Sequence, residues 1–285
     1  MNKKTKKKKL IQWHPAFYAG IQIELANEAH KLTFENEHAL SSKPMLIDIL
    51  IIKKNADDKI QKNIGRIFRK HNIIEYKSPV DYLNIDDFYK VYGYTCFYKS
   101  SSKKQDEIPA DDITITFICK NYPRKLLNHL ISFRDMNIEQ VDNGIYYLMG
   151  DIFPMQLIVT SKLSEKNNLW LKELTNELKS DSEVDTLVRE YRKHENEELY
   201  KSVMNVIIRA NNKKFEEAKD MCEALRELFK DELKESYESG IERGIEGMIE
   251  ACKSLGVAKD VVFNMVMEKF DLSDDEAENY MERYW

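Results

Sequence analysis

Two stretches decide the fold: Met45-Leu46-Ile47-Asp48-Ile49-Leu50-Ile51-Ile52 and, twenty residues on, Asn72-Ile73-Ile74-Glu75-Tyr76-Lys77-Ser78-Pro79. The first is an apolar run of strand length with a carboxylate in its middle, as expected of a strand covered on both faces. In the second, a period of two puts Glu75 and Lys77 on one face and Ile74 and Tyr76 on the other. An unpaired carboxylate in a strand interior costs several kcal/mol or is neutralised. Charges in both strands therefore predict that the two meet each other, or a cation. One reading is structural: Asp48 pairs with Lys77 or Arg66, and Glu75 and Lys77 form a rung.

Outward from this pair, Phe17, Ile21, Glu24, Leu25 and Glu28 share one stripe of a helix running from Pro15 to about Lys31. Its later positions carry glutamates; a partly exposed helix end accounts for Glu28, whereas Glu24, between Ile23 and Leu25, sits where packing wants an apolar side chain. Residues 32–40 read as a strand, and Ser41-Ser42-Lys43-Pro44 as a turn. Ile60, Ile64, Ile67 and Phe68 recur at helical spacing over Asp57–Lys70, a basic amphipathic connector between the two key strands. A helix capped by Asn84 or Asp86 with an aromatic face to about Phe97 follows, then a strong strand over Ile113–Cys119. Residues 121–163 add a short helix from Arg124, a hairpin at Asp142-Asn143-Gly144 and a strand from Met155 to Thr160.

Beyond about Lys162 strand signals stop and the chain reads as helical, acidic and rich in Glu, Lys and Leu. The expected organisation is a basic tail over 1–12, an α/β domain over 13–163 and a helical region over 164–285. Of the 285 residues, 42% are hydrophobic and 33% charged, and the net charge of −5 is unevenly spread. Residues 1–163 hold 25 Lys and Arg against 19 Asp and Glu; residues 164–285 hold 19 against 30. This favours a polyanionic partner for the first part, while a pI near 5.8 argues against a simple nucleic-acid coat protein. Cys96, Cys119, Cys222 and Cys252 lack metal-ligand spacing, which suggests reduced thiols and no zinc site. No apolar run is of membrane-spanning length, and no apolar stretch of a signal peptide follows the basic N-terminus, so the expectation is a cytoplasmic protein that contacts no membrane.

A helix-borne Glu24, a strand-borne Asp48 and the Glu75-Tyr76-Lys77 triplet resemble the PD-(D/E)XK nuclease superfamily, over about residues 13–120. Ile47 stands where the superfamily name has Pro. Trp13-His14-Pro15, the 72–79 string, Gly240-Ile241-Glu242-Arg243-Gly244-Ile245-Glu246-Gly247 and Leu272-Ser273-Asp274-Asp275-Glu276 look like the recombination-promoting nuclease and transposase-like branch. The resemblance implies an α/β, restriction-endonuclease-like αβββαβ core with added strands, and a metal-dependent DNA endonuclease that serves recombination or DNA mobility. Its catalytic set would be Asp48, Glu75, Lys77 and Glu24, with Asp48, Glu75, Glu24 and the Tyr76 carbonyl holding Mg²⁺, or Mn²⁺ in its place.

That set suits the chemistry. Hard oxygen ligands favour Mg²⁺, which takes one or two carboxylates, keeps several waters and binds phosphate. Lys77 would orient a water or neutralise charge developing on the phosphate. A non-catalytic nucleic-acid-binding or assembly protein keeping the same fold is the alternative. Weaker candidates are His14 beside a phosphate, the aromatic run from Phe88 to Tyr98 against bases, and Lys90 and Lys99 on the backbone; for the first two, a helix-start histidine and a core-facing helix are the favoured explanations. For residues 164–285 the expectation is a helical module for homodimerisation or protein contact, with apolar stripes such as Ala224, Leu225 and Leu228, and glycines 240, 244 and 247 marking a close helix approach or a joint.

Overall fold

Residues 46–53 do form a strand, and around it a mixed seven-stranded sheet is built. The computed structural model describes residues 13–39, 46–102, 104–218 and 240–285. In chain order, α1 (Trp13–Glu24) leads through a 3-10 segment to β1 (Leu32–Ala39), β2 (Leu46–Lys53), β3 (His71–Tyr76), α2 (Ile85–Ser100) and β4 (Ile113–Cys119). Then come α3 (Arg124–Arg134), β5 (Asn137–Asp142), β6 (Ile145–Met149) and β7 (Met155–Val159), followed by α4 (Glu165–Lys172), α5 (Asp181–Tyr191), α6 (Glu198–Ala210) and α7 (Asn212–Ala218). The strands lie in the order β1-β2-β3-β4-β7-β6-β5. β1, β2 and β3 pair antiparallel, as do β5, β6 and β7, while β3–β4 and β4–β7 are parallel.

Both sheet faces are covered, which is why β3, β4 and β7 are buried almost throughout. Leu50, Ile73, Ile115, Phe117 and Leu157 pack with Phe88 and Val91 of α2 and Leu126, Leu127 and Leu130 of α3. On the opposite face the Phe17 ring of α1 stacks on Tyr76 at 3.9 Å between centroids, and α1 packs in turn on α4 and α6. Of the polar side chains within this face, Asn72 accepts from Thr114 Oγ1 at 2.5 Å and donates to the Ile51 carbonyl at 3.0 Å, and Gln156 Nε2 donates to the Ile64 carbonyl at 2.7 Å, whereas the buried Tyr76 Oη and Gln156 Oε1 have no hydrogen-bond partner among the described residues. Satisfied, such groups cost little; left unpaired, each would cost about 1–3 kcal/mol.

One predicted helix is shortened and the connector takes a different form from its spacing. The first helix ends at Glu24, and residues 26–31 tighten into 3-10 turns. Residues 57–70 form a loop with one 3-10 turn at Asn63–Gly65 rather than a helix. The apolar stripe predicted there is nonetheless buried at Ile60, Ile64 and Phe68. Two of the connector's amides are satisfied from outside it: the Glu28 carboxylate accepts from Gln61 N and Lys62 N at 3.0 and 3.1 Å. Glu28 is thus only 8% exposed, not a solvated helix end. Burial alone would push its carboxyl up, but those two amides and the Lys31 ammonium outweigh it and hold it below the ordinary glutamate value.

The chain divides into two compact units, Met1–Ala218 and Lys219–Trp285. Helices α4 to α7 therefore belong with the sheet. In the second unit α8 (240–254), α9 (Lys259–Phe270) and α10 (Asp274–Tyr284) enclose Ile245, Ile249, Val262, Val266 and Met281. A Cβ on Gly244 would lie 3.0 Å from the Phe270 ring, so this glycine does mark a close helix approach, whereas Gly240 and Gly247 face open space. The Leu272–Glu276 string caps α10: Ser273 Oγ accepts from Glu276 N, and the Glu276 carboxylate accepts from Ser273 N. The basic tail, the Ser41–Pro44 turn, Cys222 and the Ala224, Leu225, Leu228 stripe lie outside the described residues. Among the described residues no helix is long and apolar enough to cross a membrane.

Candidate functional site

The last rung of the β2–β3 ladder pairs Ile49 with Ile74, so the next position sets Asp48 opposite Glu75. Opposed residues in antiparallel strands have Cβ atoms about 4.5–5.5 Å apart, which brings the two carboxylates side by side. Lys77 continues the register one step further, because its N–H donates to the Ile118 carbonyl at 2.9 Å and keeps the chain extended past β3. Asp48, Glu75 and Lys77 consequently line one cleft with His14, Asp81, Tyr82, Asn84, Asp87 and Lys90. The cleft opens at the carboxyl end of β3, the edge on which open α/β sheets carry their ligand sites.

Each side chain is held. Asp48 Oδ2 accepts from Tyr76 N at 2.9 Å and lies 3.8 Å from His14 Nδ1, at the start of α1. Lys77 Nζ bridges Glu75 Oε1 at 3.0 Å and Asp87 Oδ1 at 2.9 Å. Asp87 has a second task, since its Oδ2 accepts from Asn84 N at 3.0 Å and closes the capping box that starts α2. Helix start and lysine position are thereby fixed by one carboxylate. The Tyr76 ring stacks against Phe17 on the other face and meets the His14 ring edge-on at 5.8 Å.

The electrostatics are unbalanced. Burial foremost, and Asp48 next, push the Glu75 carboxyl above its ordinary value, with Lys77 opposing them. Burial would lower the Lys77 ammonium, but Asp87 and Glu75 outweigh it and hold it above its usual range. Lys77 is accordingly charged at neutral pH: it can neutralise negative charge and cannot serve as a base. Four carboxylates, those of Asp48, Glu75, Asp81 and Asp87, line the cleft against two ammonium groups, Lys77 and Lys90, and the excess negative charge is what a hard divalent cation would compensate. Asp48 and Glu75 fit such an ion in ligand type and in their places on adjacent strands.

Glu24 does not join them. It lies ten residues beyond His14 on α1, about 15 Å along the axis at 1.5 Å per residue. Its carboxylate pairs with Lys62 Nζ at 2.6 Å and accepts from Leu171 N at 3.2 Å and Asn168 Nδ2 at 3.4 Å. Asn168 is the non-helical residue inside α4, and Glu24 ties that kink to α1. Its assignment as a metal ligand and catalytic residue is corrected to an internal tether. Of the weaker candidates, Lys90 lines the cleft, whereas Lys99 pairs with Asp106 at 2.6 Å. In the aromatic run, Phe88 and Tyr98 are buried while Tyr89 and Phe97 stand exposed.

Sequence reasoning missed Asp87. Its signal was the Asn84-x-x-Asp87 spacing of a capping box, which declares the helix start but not the lysine ten residues earlier. A second acidic group, Glu165, Glu173 and Glu183, lies outside this cleft, with Lys172 already bridging Glu165 at 2.6 Å and Glu173 at 3.3 Å. No protein-family model matches the chain, and no curated protein or solved structure is significantly similar to it.

Proposed function

We propose that the chain is a metal-dependent DNA endonuclease that hydrolyses phosphodiester bonds, in keeping with the sequence resemblance. The observation that carries this reading is the pairing of the Asp48 and Glu75 carboxylates on adjacent strands, beside a charged Lys77, in a cleft lined by more carboxylates than ammonium groups. The element order over residues 13–119, helix, three strands, helix, strand, supports it.

In this reading Asp48 and Glu75 hold Mg²⁺ or Mn²⁺, which when bound supplies an acidified water and charge compensation at phosphorus. Asp48 is pre-aimed by the Tyr76 amide. Lys77, held by Asp87, presents its ammonium to the phosphate and stabilises the charge that grows on it during displacement. Lys90 adds positive charge at the rim, drawing the backbone in.

The test is cleavage of supercoiled plasmid, linear duplex and single-stranded DNA with Mg²⁺ or Mn²⁺. Wild-type protein is expected to cleave; Asp48→Ala and Glu75→Ala are expected to lose at least about 100-fold, the scale of losing a single stabilising contact to the transition state. Both carboxylate variants should still bind DNA, since they remove repulsion toward phosphate, while Lys77→Ala should lose turnover and some affinity together. Cleavage at the wild-type rate by both carboxylate variants would place the activity elsewhere.

A further inference from the structure

We propose that the groove adjoining the carboxylate cleft binds an unpaired nucleobase of the DNA strand whose phosphate occupies the cleft; the inference rests on the nuclease reading and names its substrate as single-stranded or locally melted DNA. The groove is walled by Tyr82, Leu83, Ile85, Tyr122 and Pro123, with a volume of about 540 Å³, inside the range of about 300–1,000 Å³ typical of small-molecule sites. It is continuous with the cleft, because Tyr82 and Asn84 line both.

Its walls are of two kinds. Tyr122 is fixed: its ring meets Tyr146 edge-on at 5.1 Å, and Lys162 Nζ sits 4.7 Å from its centroid while donating to Tyr146 Oη at 3.2 Å. Tyr82 is free, 75% exposed, on a turn ordered by Ser78 Oγ donating to Asp81 Oδ2 at 2.6 Å. A fixed ring and a free ring at the mouth of one apolar groove suit a planar ligand that is admitted and then covered, and base stacking on aromatic rings requires a base with an open face. A base inside a duplex has both faces occupied by its neighbours.

Charge selects the occupant. At the rim, Arg124 and Lys125 are exposed and form no ion pair among the described residues, with Asp86 the one acidic side chain lining the groove. Some other cations of this unit are committed: Lys53 donates to the Ala56 and Asp58 carbonyls, Lys70 to those of Lys53 and Lys54, and Lys62 pairs with Glu24. Uncommitted cations beside an apolar, aromatic slot match a nucleotide, which presents a planar base and a phosphate together.

The experiment measures fluorescence anisotropy of a labelled single-stranded oligonucleotide, and of its blunt duplex, with Ca²⁺ in place of Mg²⁺, and separately the cleavage of both with Mg²⁺. The wild type is expected to bind the single strand more tightly than the duplex. Tyr82→Ala and Arg124→Glu should each weaken single-strand binding, Tyr82→Ala by about 5- to 150-fold, the range for loss of one stacked base, and Tyr82→Trp should restore it. Because Tyr82 is exposed, the variants should melt as the wild type does. Unchanged single-strand affinity in Tyr82→Ala and Arg124→Glu, or a wild-type preference for duplex, overturns the inference even if the enzyme cleaves. Loss of single-strand binding in the variants alongside a wild type that cleaves nothing upholds the groove and overturns the nuclease.

Discussion

Glu75 holds a charge that its surroundings disfavour, and pH should expose the conflict. Its carboxyl is raised above the ordinary 4.5 by burial and by Asp48, so the folded state binds this proton more tightly than the unfolded chain does. Its contribution to stability is complete below the unfolded value and is lost as pH rises through the folded one. Glu75→Gln is therefore expected to stabilise the metal-free protein at neutral pH by roughly 0.5–2 kcal/mol, as relief of a strained functional group commonly does. The advantage should shrink as pH falls toward 4.5, and the variant should gain no further stability from Mg²⁺. Thermal unfolding with chelator and with Mg²⁺ across that pH range checks both; a variant less stable than wild type at pH 7 would mean that the Lys77 pair outweighs the burial. At this scale the sequence was partly readable. Asp48, Glu75 and Lys77 announced themselves because strand alternation alone fixes which way they point. Glu24 raised the same alarm, but its partners Lys62, Asn168 and Leu171 lie 38 to 147 residues away, and no local pattern distinguishes a buried tether from a metal ligand.

Strands were read more faithfully than the segment between them, for a physical reason. Strands β2, β3, β4 and β7 are buried on both faces and hydrophobic enough to declare themselves, whereas residues 57–70 carry helical spacing without a helix. Spacing reports which residues are buried, and Ile60, Ile64 and Phe68 are; it does not report what satisfies the amides, which here is Glu28. The same distinction between spacing and surroundings applies to the glycines of α8. Gly247 faces open space, so Gly247→Ala should gain about 1 kcal/mol of helix stability. Gly244→Ala should gain little or lose, because its new Cβ would press on the Phe270 ring at 3.0 Å. Hydrogen exchange across 240–285 in the full-length protein distinguishes them; equal protection in the two variants would remove the argument for a seat against Phe270.

The molecule divides its charge as well as its fold. Residues 219–285 hold 9 Lys and Arg against 18 Asp and Glu, a balance that repels nucleic acid, while every residue of the cleft and of the adjoining groove lies in the first unit. A chain of residues 1–218 should accordingly keep its Mg²⁺-dependent rise in melting temperature, and loss of that rise would show that the second unit helps to build the site. Light scattering on the two chains tests the expected self-association: a full-length monomer at micromolar concentration would exclude it. The strand order also has a kinetic consequence. Residues 32–76 and 137–159 form two antiparallel meanders of near neighbours, whereas β4 joins them by two parallel pairings, each closed only after a long intervening segment is brought round. Closing distant pairs is slow because chain entropy is lost before contacts are made, so the meanders should assemble early and the β4 seam last. Phe117→Leu, at the centre of that seam, is then expected to speed unfolding far more than it slows refolding: the protein's lifetime, rather than its rate of birth, is set by the strand that joins its two halves.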